Sequence, residues 1–389
     1  MRVPSPAIPR FADSRFPAPS FGFLSTYPPT ACGIATFSAA LSKGLVANGA
    51  EVGIVRVADG SPASDKAVVG ELDNGSARSV AAASEVLNRF DVAIVQHEYG
   101  LYGGADGDEV LDVLESLDVP SIVIAHTILS RPTPHQQSVL EAVAAVADQV
   151  VVMSAAAQER LCSLFDIDPA IVTTIPHGAA IPTSRPSHQP IGRPTILTWG
   201  LIGPGKGIER VIDAMVSLHD LPSRPCYLVA GRTHPRVLAS DGEAYRNARI
   251  EQASRNGVAE SVIFDATYRN VGSLTALIQS CAVVVLPYDT ADQVTSGVLV
   301  DAIAAGRPVV ATAFPHAVEL LASGAGIVVD HDDPDALVSA LRRLLLEPGL
   351  ADAMGAEASR LAPTMAWSVV AGAYLGLGSR LLRKHPALV

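Results

Sequence analysis

The stretch Ile196–Ser217, ILTWGLIGPGKGIERVIDAMVS, decides how the rest of the chain is read. Its first four residues form a short apolar strand, and Ile208–Ser217 repeats apolar residues at the helical period. Gly200–Gly207 joins the two. A strand that turns through glycines straight into a helix opens a strand–helix–strand unit and hence a parallel sheet. Glycines let backbone amides approach an anion closely, the helix N-terminus adds its dipole, and Lys206 adds a full charge. The spacing is not that of a Walker loop: Gly207 follows the lysine, so no hydroxyl is placed for magnesium. Nor is it G-x-G-x-x-G. A glycine-rich turn carrying a solvated lysine is the other reading of the same residues.

Outward from this unit the same alternation continues. The first half offers strand-like runs at Phe21–Ser25, Val52–Val57, Val92–Gln96, Ile122–Ala125, Val150–Met153 and Val172–Ile175. The second half adds Tyr227–Ala230, Val262–Phe264, Val283–Leu286, Val309–Thr312 and Ile327–Val329. Helical patterns such as Ile34–Ala47, Gln136–Ala147, Leu299–Ala305 and Pro334–Leu346 lie between them. Two α/β domains of Rossmann type follow, with right-handed crossovers in each. The expected boundaries are a flexible tail over 1–20, a first domain over 21–180, a linker over 181–194 and a second domain over 195–366. The linker, IPTSRPSHQPIGRP, holds four prolines and little apolar content. The final helix, about Ser368–Arg383, carries an apolar stripe of Val369, Val370, Ala373, Tyr374, Leu377 and Leu381 that must be buried somewhere.

Composition narrows the function. The chain of 389 residues is 49% apolar and only 17% charged, which is a well-buried globular protein. Its charge is 28 − 39 = −11 with no Lys/Arg run, the wrong sign for a nucleic-acid groove. Peripheral membrane contact through a local basic patch stays open. No stretch reaches the roughly 18 charge-free apolar residues of a membrane helix. The Pro- and Ser-rich N-terminus lacks the apolar core of a signal peptide. Cys32, Cys162, Cys226 and Cys281 are scattered with no C-x-x-C pair, as in a reduced cytoplasmic protein.

In open parallel sheets, ligands bind beyond the carboxyl ends of the strands. Those ends read Ser25–Thr26, His97–Glu98, His126–Thr127, His177–Gly178, Gly200, Gly231–Arg232 and Tyr288–Asp289. Two such edges facing each other across a cleft would make a site. Thr295, Ser296 and Gly297 form the cap and first turn of a helix that presents free amides, and Asp301 falls about one turn later. A capped structural helix with an exposed aspartate has the same pattern. Asp330-His331-Asp332-Asp333-Pro334 contains D-x-D but reads as a helix cap before Pro334. No H-E-x-x-H or Cys/His cluster is present, so neither a metal nor a cofactor is expected.

The second half resembles the donor domain of family 4 retaining glycosyltransferases of the GT-B fold. The resemblance rests on the glycine loop ending Lys206-Gly207, on VLVDAIAAGRPVVAT at Val298–Thr312, and on Trp367 opening the last helix. The first half resembles the acceptor domain through YPPTACGIATF at Tyr27–Phe37, His126, VVMS at Val151–Ser154 and IPHG at Ile175–Gly178. Two departures stand out: Leu201 where the family usually has Arg, and Gln293 and Asp301 where it has two glutamates.

The resemblance implies a hexosyl transfer, mannosyl or glucosyl, from a donor of the GDP-mannose or UDP-glucose type. The acceptor would be a carbohydrate, a glycolipid or a small molecule. Lys206, Arg232 and helix amides would stabilise the departing diphosphate. Gln293 and His126 would hold the donor sugar, Asp301 would accept from ribose hydroxyls, and Gly33, Gly200, Thr295, Ser296 and Gly297 would line the donor. His97, Glu98 and Tyr99 are the candidates for acceptor binding, and the last helix would pack back on the first domain. A non-catalytic sugar-nucleotide-binding or partner-binding protein of this fold is the competing class; within enzymes, an epimerase is.

Overall fold

A computed structural model of the chain describes residues 18–183, 192–267 and 269–384. Most of the expected N-terminal tail and of the expected linker lies outside the described residues. Arg193, at the end of that linker, is anchored: it donates to the carbonyls of Arg224 at 2.6 Å and Pro225 at 3.1 Å, and to Ser261 Oγ at 2.7 Å.

Thirteen strands form two wholly parallel sheets among the described residues. The first comprises β1 (Phe21–Ser25), β2 (Val52–Val57), β3 (Val68–Leu72), β4 (Val92–His97), β5 (Ser121–Ala125), β6 (Gln149–Val152) and β7 (Val172–Thr174). The second comprises β8 (Thr195–Trp199), β9 (Cys226–Ala230), β10 (Val262–Asp265), β11 (Val283–Leu286), β12 (Val309–Thr312) and β13 (Gly326–Val329). The helices of the early chain are α1 (Gly33–Ala47), α2 (Ala77–Leu87), α3 (Val110–Glu115), α4 (Pro134–Val146) and α5 (Ala155–Leu164). Then follow α6 (Ile208–Leu218), α7 (Pro235–Asp241), α8 (Ala244–Arg255), α9 (Val271–Ser280) and α10 (Gly297–Ala304). The last four are α11 (Pro315–Leu321), α12 (Pro334–Leu346), α13 (Pro348–Leu361) and α14 (Trp367–Lys384). No described helix is long and apolar enough to cross a membrane.

The strand orders are β3-β2-β1-β4-β5-β6-β7 and β10-β9-β8-β11-β12-β13. Both reverse direction of assembly once, between β1 and β4 and between β8 and β11. Those are the topological switch points where doubly wound sheets bind ligands. The central strands are fully buried: every residue of β1, β4, β5, β11 and β12 is inaccessible or nearly so. That explains their unbroken Val/Ile/Leu runs. β3 has no counterpart among the sequence-read strands. It is a half-exposed edge strand, VVGEL, interrupted by Gly70.

The chain divides into two compact units, and the division does not follow the sheets. Of the described residues, one unit takes 18–125, 133–151 and 371–384; the other takes 126–132 and those between 152 and 370. Residues 371–384 therefore group with the early chain, and a Cβ added to Gly378 would meet the Phe21 ring at 2.8 Å. His126 and the segment after β6, through α5 and β7, group with the late chain. Within that unit Ser154 caps α5 by accepting from Ala157 N–H at 2.9 Å, and its hydroxyl donates to Val294 C=O at 2.6 Å.

Candidate functional site

In the second unit the switch point lies between β8 and β11, and the site is built from the loops that follow them. After β8 the chain runs Gly200–Gly207 into α6. Four glycines here and next door hold positive φ: Gly200 at 124°, Gly205 at 85°, Gly207 at 63° and Gly231 at 143°. The glycines are required by space as well as by φ. A Cβ on Gly207 would sit 1.7 Å from Pro287 C=O, and one on Gly231 would sit 1.9 Å from Gly200 C=O. The loop is stitched to its neighbours by Ile202 N–H to Arg232 C=O at 2.8 Å and Asp289 N–H to Gly205 C=O at 3.1 Å.

This stitching brings Lys206 to the loop after β11. Its ammonium lies 4.5 Å from the centroid of the buried Tyr288 ring, a cation–π contact. Burial pulls the Lys206 pKa below its usual range. Tyr288 is stacked on Phe314 with centroids 5.2 Å apart. Arg210 of α6 donates to Asp289 at 2.8 Å, so the two loops are joined at both flanks.

The loop after β11 ends at α10. Ser296 is its cap: the hydroxyl accepts from Leu299 N–H at 3.2 Å, and the Ser296 N–H donates to His316 Nδ1 at 2.9 Å. Among the described residues the amides of Gly297 and Val298 have no acceptor. A Cβ on Gly200 would come 4.0 Å from Val298, so the glycine loop and the first turn of α10 are neighbours. Two unpartnered amides at a helix N-terminus, with a glycine loop and its lysine next door, are groups of the kind that bind anions.

The other expected residues fall as follows. Gln293 donates its amide N–H to Thr295 C=O at 3.0 Å, which leaves the side-chain oxygen as an acceptor. Thr295 Oγ1 is buried without a partner. Asp301 has no hydrogen bond or ion pair to its carboxylate among the described residues, and burial pushes its pKa up to about 7. Arg232 is exposed, and its backbone carbonyl takes the Ile202 amide. His126 directly follows β5, is half-buried, and belongs to the same unit as all of these.

Several residues of this site have no role assigned from the sequence, although His177 reads there as a strand end and lies within IPHG. His316, at the second position of α11, takes the Ser296 amide. His177 is the barrier that makes Gly297 a glycine, its Nε2 lying 2.9 Å from where a Cβ would stand. Arg246 of α8 is buried and donates to Gly231 C=O at 2.6 Å, fixing the strand end that carries Arg232. Arg160 of α5 donates to Asp292 C=O at 2.6 Å. Apart from His177, these residues have no local signature, because each acts across a long sequence interval. The expected cap at Asp333 is present: its carboxylate accepts from Ala336 N–H at 2.8 Å. No group of three or more potential ligands that could hold a metal occurs among the described residues.

The first unit presents its own switch point, between β1 and β4. Gly33 opens α1 with open space where a Cβ would be. His97 ends β4 at 1% exposure, with neither ring nitrogen partnered, and burial lowers its pKa to about 4. Tyr99 meets it edge-on with centroids 5.2 Å apart, and its hydroxyl is also buried and unpartnered. Glu98 is half-buried between them in sequence. Tyr102 closes the loop by donating to Gln96 C=O at 2.7 Å.

Two families match the chain. Residues 31–181 match "Glycosyltransferase Family 4", and residues 193–347 match "Glycosyl transferases group 1". A D-inositol 3-phosphate glycosyltransferase from Kineococcus radiotolerans is 28% identical over 282 residues, or 65% of this chain. One of the same description from Rhodococcus jostii is 26% identical over 280 residues, or 66% of this chain. The matches span 60% of the length of these curated relatives. Among solved structures, a sucrose-phosphate synthase from Thermosynechococcus elongatus superposes with a TM-score of 0.78 at 18% identity, covering 94% of this chain and all of that one. Anabaena HepE in complex with UDP and glucose superposes with a TM-score of 0.73 at 15% identity, covering 93% of this chain and 99% of that one.

Proposed function

The chain belongs to the family 4 glycosyltransferases of the GT-B fold, and from that premise we propose that it transfers a hexosyl group from a nucleoside diphosphate sugar to an acceptor hydroxyl with retention of configuration. The observation that carries this reading is a glycine loop, with Lys206 over the Tyr288 ring, that lies beside the first turn of α10, whose Gly297 and Val298 amides have no acceptor among the described residues. Such groups stabilise charge as it develops on the departing diphosphate, and they need no reorganisation when the bond breaks. The bond from the anomeric carbon to the phosphate oxygen breaks, and the acceptor oxygen bonds to the same face. The acceptor proton passes to the leaving diphosphate.

Gln293 and His126 hold the sugar, the first through its side-chain oxygen. Asp301, unpartnered and poised near pH 7, accepts from the ribose hydroxyls. Arg232 adds a second positive charge from the neighbouring loop. His97, Glu98 and Tyr99 receive the acceptor. The HepE complexes solved with UDP support a uridine donor, with GDP-mannose the alternative to try beside UDP-glucose. The names of the curated relatives put inositol phosphates among the acceptors to test.

The test is release of UDP or GDP from a panel of nucleotide sugars, with each acceptor and with EDTA, and NMR assignment of the product anomer. Acceptor-dependent release, resistance to EDTA and an unchanged anomeric configuration are expected. An inverted product refutes the mechanism, and loss of activity in EDTA restored by manganese refutes charge neutralisation by Lys206 and amides.

A further inference from the structure

The two outer donors at the start of α10 are already spent, and the way they are spent leaves the inner two free. A helix begins with four amides that have no intrahelical partner. Ser296 Oγ takes that of Leu299, as a cap does. In the usual reciprocal cap, a Glu or Gln three residues on takes the amide of the cap residue itself. Here that residue is Leu299, which has no acceptor. His316, from α11, supplies it instead, with Nδ1 2.9 Å from Ser296 N. A ring nitrogen that accepts is unprotonated, so the His316 proton sits on Nε2.

We propose that His316 is a positioning residue for the diphosphate site, holding the cap amide of Ser296 so that the amides of Gly297 and Val298 stay aimed at the leaving group. The inference rests on the donor reading given above. Ser296 and His316 are 2% and 5% exposed, so the bond between them is shielded from water and is not replaced by solvent when broken. A second imidazole closes the other side. His177 donates Nδ1–H to Gly178 C=O at 2.7 Å and stands against Trp367 with centroids 5.6 Å apart, which fixes its ring beside Gly297. Burial holds both histidines neutral, with pKa values near 4. The first turn of α10 is thus held by neutral groups that add no negative charge opposite an incoming diphosphate. Thr295 Oγ1, buried and unpartnered one residue before the cap, is a further donor for it.

The experiment titrates UDP and GDP separately into the full chain and into His316→Ala and His316→Asn, alongside thermal melts. Asn places a carbonyl oxygen where Nδ1 stands but cannot fill the volume of the ring. Both variants should therefore lose stability together, while only His316→Ala loses nucleotide affinity, by about tenfold, the worth of a cap hydrogen bond. His316→Asn should bind within about threefold of wild type. Equal affinities for His316→Ala and wild type, or equal loss in both variants, overturn the inference alone. Failure of wild type to bind either nucleotide overturns the donor reading, and this inference with it.

Discussion

The two sheets share a switch point but use it differently. Between β1 and β4, the loops close over their own polar groups: Tyr102 donates to Gln96 C=O at 2.7 Å and to Leu24 C=O at 3.3 Å, and His97 and Tyr99 are sealed beneath with three polar atoms unpartnered. Between β8 and β11, the loops are tied at their flanks, and what is left unpartnered among the described residues includes the amide pair opening α10, the Thr295 hydroxyl before it and, inside α10, the Asp301 carboxyl. Placement beyond a strand end is therefore common to both. What separates them is whether the unpartnered groups carry or attract charge. The second presents groups suited to an anion, and the first presents neutral polar groups.

The division of the chain into units can be broken at its tail. Leu377 and Leu381 of α14 are 3% exposed or less, and burying each is worth about 1.5–3 kcal/mol. Truncation after Met365 should therefore cost several kcal/mol, about the margin of a whole domain. Hydrogen exchange should show the loss in β1 and β4, because Gly378 lies against Phe21 and Val92. Unchanged protection of those strands would assign the helix elsewhere.

Next in size is the charge at the second switch point. Lys206→Ala should lower turnover by at least about a hundredfold, the scale of losing one preorganised contact to a developing anion. Melting temperature should barely move, since the loop is shaped by its glycines and not by this side chain. Near wild-type turnover would leave Lys206 a packing residue over the Tyr288 ring.

This contrast also marks what could be read from sequence. Gly200–Gly207 was legible because left-handed φ values and backbone closeness admit little except glycine. The two sheets were legible because buried parallel strands are continuous apolar runs. β3 escaped because an edge strand needs no such run, and Gly70 breaks its pattern. His316, Arg246 and Ser154 escaped for a different reason. Each bonds a backbone group 15 to 140 residues away, and such a bond leaves no spacing to detect. The same holds for the boundary between units: nothing around Val152 in the sequence shows that α5 is held by Val294 and Asp292.

A smaller effect is expected at Asp301. Its carboxyl is raised from 3.8 to about 7 by burial, so between those values the folded chain keeps a proton that the unfolded chain has released. Stability in the absence of ligand should then fall as pH rises through that window. Asp301→Asn removes the titration, so the variant should gain on wild type in melting temperature from pH 5 to pH 8 while binding nucleotide more weakly. A gap between the two that does not change with pH would show a carboxylate ionised normally.

The smallest effect sharpens the comparison from the other side. His97 is buried with two unpartnered ring nitrogens, and an apolar ring of similar size would need no partners. His97→Phe should therefore be neutral to stabilising by about 1 kcal/mol at pH 7. Its advantage should grow in acid. With the folded pKa lowered to about 4 and the unfolded value near 6.5, wild type loses stability as pH falls through that interval, and the variant does not. Nucleotide affinity should be unchanged, because His97 belongs to a different unit from Lys206, Gln293, Asp301 and the cap of α10. The acceptor KM decides the rest. A rise of several-fold alongside a gain in stability would mean that the loop opens and that His97 spends its two nitrogens on an acceptor hydroxyl, which both donates and accepts. An unchanged KM would leave His97 a sealed packing residue.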